Sequence, residues 1–403
     1  MSPDPSPPSA LSQPLGAIMQ LAATERVALG KPAAEVIAAE AQRLGAARVF
    51  ILAGGHLLRQ TDEIRRIEVA LGSRHAASHT GIGQHVPLGD VLAAADAARG
   101  VSADLIVAIG GGSVIDAAKM IGLCLKHDIR EPAGFAPYRT RVDEAGEVII
   151  PEFAGADIAL ICVPTTLSGG EFSPLAGATD EEARLKSVYE HPSMAPVCVV
   201  LDPAISLHTP EWLWLSTGVR SIDHAVEALA SLDSNYFCDG MAESALRLLA
   251  QGLPRVKADP GDLDARMQCQ VGAWQSMIPI IAGVPMGGSH AIGHILGGTC
   301  NVAHGHTSCV MSPHVLAWNF PVNSGRQKRI SACLGKPEES ASELLDGLIR
   351  SLGMPRTLRE VGVEEEMLPV IAANTLKDPW APTNPRPLRR SEEVMAILQT
   401  ALG

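Results

Sequence analysis

His290 and His294 stand four apart in Gly288-Ser289-His290-Ala291-Ile292-Gly293-His294, a spacing that puts both rings on one face of a helix. His304 follows in Asn301-Val302-Ala303-His304-Gly305, and His224 precedes them in Ser221-Ile222-Asp223-His224-Ala225-Val226-Glu227. Three or four such ligands, usually with a carboxylate among them, make a divalent-metal site. One helical turn before His224, where that carboxylate would stand, the chain has Arg220. A guanidinium cannot ligate a cation and repels one. The array therefore reads as a metal site whose metal has been replaced by a fixed positive charge. Asp223 is a poor substitute ligand, because helix neighbours point about 100° apart and it cannot meet one ion together with His224. Arg220 can also be read as a structural arginine paired with Asp223 or Glu227.

The elements that must position these residues alternate in the first half of the chain. Helical patterns at 32–44, 61–71 and 88–99 separate β-rich runs at 48–52, 75–82 and 105–109, and further strands are expected at 158–163 and 197–201. Strands alternating with helices at this spacing imply parallel βαβ units. Beyond Pro203 the β signal stops. Helical stretches follow at 222–231, 241–253, 267–281, 290–296, 308–318, 341–352 and 392–402. The expected division is a lead-in over 1–24, an α/β dinucleotide-binding domain over 25–203 and an all-helical domain over 204–403 carrying substrate and catalysis, with a cleft between the last two. Residues 128–157, rich in Pro, Gly and charge, read as a hairpin or loop insertion.

Gly110-Gly111-Gly112-Ser113 follows the strongest strand and opens a helix at Val114. Strand, glycine turn and helix N-terminus together can hold a pyrophosphate through free backbone N–H groups and the helix dipole. The turn is neither GxGxxG nor a Walker loop, and by itself it could be an empty βα turn.

The longer phrase Gly110-Gly111-Gly112-Ser113-Val114-Ile115-Asp116-Ala117-Ala118-Lys119 resembles the GGGSxxDxAK signature of the iron-containing alcohol dehydrogenase family. Pro164-Thr165-Thr166-Leu167-Ser168-Gly169-Gly170-Glu171 resembles its PTT…GSE segment, and Lys377-Asp378-Pro379 with Asn384-Pro385-Arg386 resembles its C-terminal segment. The histidines fall in the family's order and spacing, from about residue 25 to the end. Pro164–Pro174, His85-Val86-Pro87 and His224–Leu229 lean toward the maleylacetate reductase branch, whose members are described as working without metal and commonly carry asparagine where Arg220 stands. Arg220 departs from both patterns.

This resemblance implies a dehydroquinate synthase-like fold and a homodimer that reduces a small molecule with NADPH or NADH. It implies a cofactor held by Gly54, Gly110, Gly111, Gly112, Ser113, Asp116, Thr165, Thr166, Ser168 and Lys186, with Asp116 supporting the glycine turn. His294, His224, His290 and Arg220 are the expected catalytic set, and Arg220, His294 and His304 the expected substrate contacts. Hydride transfer builds negative charge on oxygen, which Arg220 and a protonated His224, His290 or His294 could stabilise. That favours an anionic oxo-acid such as maleylacetate, reduced to 3-oxoadipate. No metal is expected; were Fe or Zn retained, His224, His290 and His304 would hold it. The alternatives are a metal-dependent alcohol dehydrogenase, a lyase of the dehydroquinate synthase kind, and a nucleotide-binding pseudoenzyme.

One position bears on the cofactor's phosphate. An acidic residue ending the first strand of such a domain accepts hydrogen bonds from the adenosine ribose and excludes a 2′-phosphate. Here the strand ends Leu52-Ala53-Gly54-Gly55-His56, with His56 or Arg59 able to approach a phosphate instead.

Composition closes off other classes. A net charge of −12 disfavours nucleic acid and anionic membranes as partners. No apolar run reaches membrane-spanning length, and no basic residue precedes Arg26 as a signal peptide would require. The eight cysteines show no CxxC pairing and are expected reduced and in the core, Cys300 and Cys309 included, which suits the cytoplasm.

Overall fold

A computed structural model describes residues 19, 21, 23–142, 148–182 and 185–403, so most of the expected lead-in lies outside the described residues. The described chain forms two compact units: residues 23–218 with Gln251–Trp274, and Val219–Ala250 with Gln275–Gly403.

The first unit is built on six parallel strands: β1 (Arg26–Leu29), β2 (Val49–Ala53), β3 (His75–His79), β4 (Leu105–Gly110), β5 (Ala159–Pro164) and β8 (Cys198–Leu201). Their order across the sheet is β1-β8-β5-β4-β2-β3. Alternate residues serve opposite faces. Phe50, Leu52, Ile106 and Ala108 pack with helices α4 (Leu88–Gly100) and α5 (Gly112–His127). Val49, Ile51, Leu105, Val107 and Ile109 pack with α1 (Ala33–Arg43) and α3 (Glu63–Leu71), while the short α2 (Gly55–Gln60) follows β2. Burial on both faces is why β2 and β4 are unbroken apolar runs, since neither side needs polar residues.

Two features escaped the sequence pattern, while the expected insertion took a definite form. β1 has only four residues and lies at the sheet edge. An antiparallel hairpin, β6 (Leu175–Asp180) with β7 (Leu185–Glu190), stands apart from the main sheet. The insertion at 128–157 contains a 3-10 turn, Pro132–Tyr138, and a short antiparallel pair, Arg141–Val142 with Val148–Ile149.

The expected boundary at residue 203 is also displaced. Arg266 donates to the Ser206 carbonyl at 3.0 Å and lies 4.7 Å over the Trp214 ring. Trp274 stacks on Phe172 at 5.5 Å. These contacts draw Gln251–Trp274 to the sheet-bearing unit, although the segment is helical and lies far along the chain.

Helices α6 (Glu211–Ala230), α7 (Tyr236–Ala258), α8 (Leu263–Ile281), α9 (Gly288–Cys300), α10 (His304–Cys333), α11 (Ala341–Ser351), α12 (Leu368–Thr375) and α13 (Ser391–Ala401) make up the remainder. Ala291, Ile292, Leu296, Val310 and Val315 pack with Ile371, Val394 and Ile397 into the second unit's apolar core. All eight cysteines are free thiols; seven are buried and Cys300 is half-buried, not fully core as expected. Among the described residues no helix is long and apolar enough to cross a membrane.

Candidate active site

Of the residues expected to hold a cofactor, Gly54, Gly110–Ser113, Thr165 and Thr166 lie at the C-terminal ends of β2, β4 and β5, where open parallel sheets hold ligands. The Gly54 N–H donates to Ile109 O at 2.9 Å and the Thr165 N–H to Gly110 O at 2.9 Å, locking the three strand ends together. Side chains crowd the turn, so any residue larger than glycine would have to push its neighbours aside. A Cβ at Gly111 would lie 3.1 Å from Thr166 Cγ2, and one at Gly112 would lie 3.2 Å from Ser168 Oγ. Packing does not force glycine at 54, where a Cβ would meet nothing closer than Ile109 O at 3.9 Å. The Arg59 guanidinium folds back over Gly55, its Nη2 2.6 Å from where a Cβ would stand.

Asp116 differs from expectation. It accepts from Gly177 N at 3.1 Å and so braces the β6–β7 hairpin, not the glycine turn. Lys119 lies 3.9 Å away and donates to the Gly170 and Leu175 carbonyls at 2.7 and 2.6 Å. Lys186 is carried on the same hairpin, its Cε 3.1 Å from a Cβ placed on Gly177. Glu171 is buried with Oε2 unpartnered among the described residues, and burial pushes its carboxyl up to about 7.

In the second unit, α6 and α9 carry the histidine and arginine array. Two backbone features aim it. Asn301 ends α9 in the left-handed conformation at φ 54°, which asparagine tolerates, and the chain turns so that His304 opens α10. The rings of His294 and His304 then stack at 6.0 Å. At Gly293 a Cβ would lie 2.9 Å from Thr307 Oγ1 and 3.7 Å from Arg220 Nη1, so glycine lets α9 approach both.

The inner part of the array is dry. Arg220 is 4% exposed, His224 5% and His290 1%. The His224 and His290 rings lie 5.0 Å apart. The Glu227 carboxylate caps α9, accepting from Gly287 N at 2.8 Å and Ser289 N at 2.7 Å, a favourable place for negative charge. It also bonds His290 Nδ1 at 2.7 Å, which puts the neutral ring's proton on Nδ1 and leaves Nε2 as an acceptor. Burial pushes Glu227 up to about 7, opposed by its N–H donors and by Arg220.

Burial, reinforced by Arg220, holds His224 and His290 well below the usual imidazole range. This works against the protonated His224 or His290 expected to stabilise negative charge, and leaves the Arg220 guanidinium as the stronger cation of the inner group. Arg220 Nε, His224 Nδ1 and His290 Nε2 have no hydrogen-bond partner among the described residues.

The outer part is more open. His294 is 36% exposed at its side chain and pairs through Nδ1 with Asp378 Oδ2 at 2.8 Å. Trp380 lies between the two groups, 5.5 Å from the His290 ring and 4.9 Å from the His294 ring. Sequence reasoning missed Asp378 and Trp380 as site residues, and it missed Ser289, Ser308 and Ser312, which bond Asp223. The Lys377-Asp378-Pro379 phrase was a usable signal for Asp378. Serines on helices carry no comparable mark.

Residues 24–203 match the family described as iron-containing alcohol dehydrogenase, and residues 214–402 match the C-terminal family of Fe-containing alcohol dehydrogenases. This chain belongs to the iron-containing alcohol dehydrogenase family. It is 33% identical over 377 residues to maleylacetate reductase 2 of Cupriavidus pinatubonensis, covering 93% of this chain and 94% of that one. The crystal structure of maleylacetate reductase from Agrobacterium tumefaciens superposes with a TM-score of 0.80 at 26% identity, covering 97% and 98% of the two chains. A 1,3-propanediol oxidoreductase structure gives 0.84 at 26%, covering 96% and 100%. The protein is an NAD(P)-dependent oxidoreductase of the maleylacetate reductase-like branch.

Proposed function

We propose that the protein is a metal-independent NAD(P)H-dependent reductase of an anionic oxo-acid, and that maleylacetate, reduced to 3-oxoadipate, is its substrate. The observation carrying this reading is the buried Arg220 guanidinium, whose Nε has no partner among the described residues. A desolvated, directional positive charge suits a carboxylate or a developing oxyanion and gives a neutral alcohol nothing comparable. Homodimeric assembly and a cytoplasmic site of action belong to the same reading, on family likeness.

The cofactor fits the first unit's residues. The Gly110–Ser113 turn and the α5 N-terminus would take the pyrophosphate, with Thr165, Thr166, Ser168 and Lys186 around it. The reduced nicotinamide supplies the hydride. When that hydride adds to the far end of an enone, charge collects on the carbonyl oxygen as an enolate. Arg220 stabilises this charge or grips a carboxylate beside it. A proton must then reach carbon, and His294, held by Asp378 and open to solvent, is placed to deliver it.

A metal ion does not fit. The family's expected ligand positions hold Arg220 in place of a carboxylate, and the guanidinium lies close enough to depress both His224 and His290. Among the described residues the metal-capable group that does assemble is Asp223, Glu227 and His290, not the set of His224, His290 and His304. Its two carboxylates already accept six hydrogen bonds that an ion would have to displace: Asp223 takes three serine hydroxyls, and Glu227 takes two backbone N–H groups and an imidazole. We expect purified protein to contain clearly substoichiometric Fe and Zn and to keep its NAD(P)H-dependent activity after prolonged chelation. Stoichiometric metal required for turnover would overturn this.

NADPH should be accepted at least as well as NADH, because Gly54 offers the 2′-phosphate no opposing charge and Arg59 lies folded over the adjacent Gly55. Steady-state kinetics with both cofactors decide the point. A preference for NADH beyond about 100-fold, roughly 2.7 kcal/mol, would mean that another acidic group reads the ribose. The substrate itself is tested by following NADPH oxidation with maleylacetate beside neutral aldehydes, with the oxo-acid expected to give the higher kcat/KM.

A further inference from the structure

Asp223 is fully buried, and the reading above gives it no task. It accepts from Ser289 Oγ at 2.7 Å, Ser308 Oγ at 2.7 Å and Ser312 Oγ at 2.5 Å, so α9 and α10 both bond to this one carboxylate of α6. Arg220, one turn earlier on α6, lies 3.9 Å from Asp223 Oδ2, too far for a direct hydrogen bond. Their link runs through Ser308. Arg220 Nη1 donates to Ser308 Oγ at 3.0 Å, and that hydroxyl donates onward to Asp223 Oδ2. A serine hydroxyl has one proton, so its direction is set by a neighbour that only accepts. The carboxylate is that neighbour, and it turns the serine's lone pairs toward the guanidinium.

We propose that Asp223 and Ser308 are positioning residues that hold the Arg220 guanidinium in one orientation, with Nη1 anchored internally and Nε left for an anion. Selection of an anionic substrate is then a property of three residues acting as a unit. This rests on the reading that Arg220 meets the substrate's negative charge. Two simpler roles for Asp223 predict different signs. A carboxylate that only ties helices together changes melting temperature and leaves KM alone. A bystander negative charge near an anion site repels the anion, so its removal should lower KM. A positioning carboxylate does the reverse, and its removal raises KM.

Ser308→Ala is the decisive variant, because it cuts the link while Asp223 keeps its charge and its bonds to Ser289 and Ser312. We expect kcat/KM for an oxo-dicarboxylate to fall about 10-fold, carried mainly by KM, as for loss of one hydrogen bond to a charged group. Ser308→Thr, which retains the hydroxyl, should recover to within about 3-fold of wild type. In an Arg220→Ala background, Ser308→Ala should add less than about 2-fold, since nothing remains to be positioned. Equal losses in both backgrounds, or a melting shift with KM unmoved, would overturn the proposal; so would a fall in KM on Asp223→Asn.

Calorimetric titration of the NADP-loaded protein with adipate, a dicarboxylate with no carbonyl to reduce, separates this from the functional reading. Adipate binding weakened about 10-fold by Ser308→Ala supports positioning even if no oxo-acid is turned over, in which case the functional reading alone fails. Equal adipate affinity in wild type and Ser308→Ala overturns positioning even if maleylacetate is reduced. Wild type that neither binds adipate nor reduces an oxo-acid overturns both.

Discussion

Replacing Arg220 by alanine should cut kcat/KM for an oxo-dicarboxylate by about 10²–10³, while costing little stability. The two effects separate on magnitude. A charged donor facing developing negative charge in a dry site is worth about 3–4 kcal/mol at the transition state, which is a factor of this size. The structural loss is smaller. Asp223 keeps its three serine donors when the guanidinium goes, and at 3.9 Å Arg220 makes no direct bond to it, so the fold forfeits about one hydrogen bond, that to Ser308, on the order of 1–2 kcal/mol. Arg220→Lys should recover part of the activity, because lysine keeps the charge but loses the planar fork and cannot present Nε and Nη1 together. Removal should also compress the preference for oxo-acids over neutral aldehydes. Kinetics on a charged and a neutral substrate, with melting temperatures alongside, test this. Equal losses on both substrates with a large melting shift would make Arg220 a structural residue.

His294→Ala is expected to lower kcat by about 10²–10³, the usual worth of a placed proton donor, with KM changed by less than about 3-fold. The ring's 36% exposure gives it the access to solvent that the buried His224 and His290 lack, and its bond to Asp378 fixes its orientation. Asp378→Asn should cost about 10-fold in kcat, because the amide still reaches Nδ1 but supplies no charge to stabilise an imidazolium. NADPH affinity, measured by fluorescence titration, should stay within about 2-fold of wild type in both variants. If His294→Ala turns over at a rate near that of wild type, the proton comes from elsewhere and the assignment is wrong. A parallel loss of NADPH binding would instead show that the helical unit's architecture had been disturbed.

Much of this protein was legible in the sequence because the relevant signals are local. Unbroken apolar runs such as Val49–Ala53 and Leu105–Gly110 announce strands buried on both faces, and glycines after β4 announce a turn that must admit close neighbours. The i, i+4 spacing of His290 and His294, and Arg220 one turn before His224, are helix-period facts that hold before any tertiary contact forms. β1 was missed because four residues at a sheet edge are too few to show a period, and the β6–β7 hairpin because its strands lie outside the main sheet.

What only the tertiary structure decided are relations between residues far apart in the chain. Glu227 meets the α9 N-terminus and His290 some 60 positions away, Asp223 meets Ser308 and Ser312 more than 80 away, and His294 meets Asp378 at 84. Such pairings leave no periodicity to read. The same holds for burial. How much water reaches each imidazole is set by packing, with His224 and His290 5% and 1% exposed and the His294 side chain 36% exposed. Residue types and spacing determined that a positive charge stands where a metal ligand is expected. Burial and long-range hydrogen bonding decided that Arg220, His224 and His290 lie in a dry cluster, while the His294 side chain is 36% exposed and bonded to Asp378.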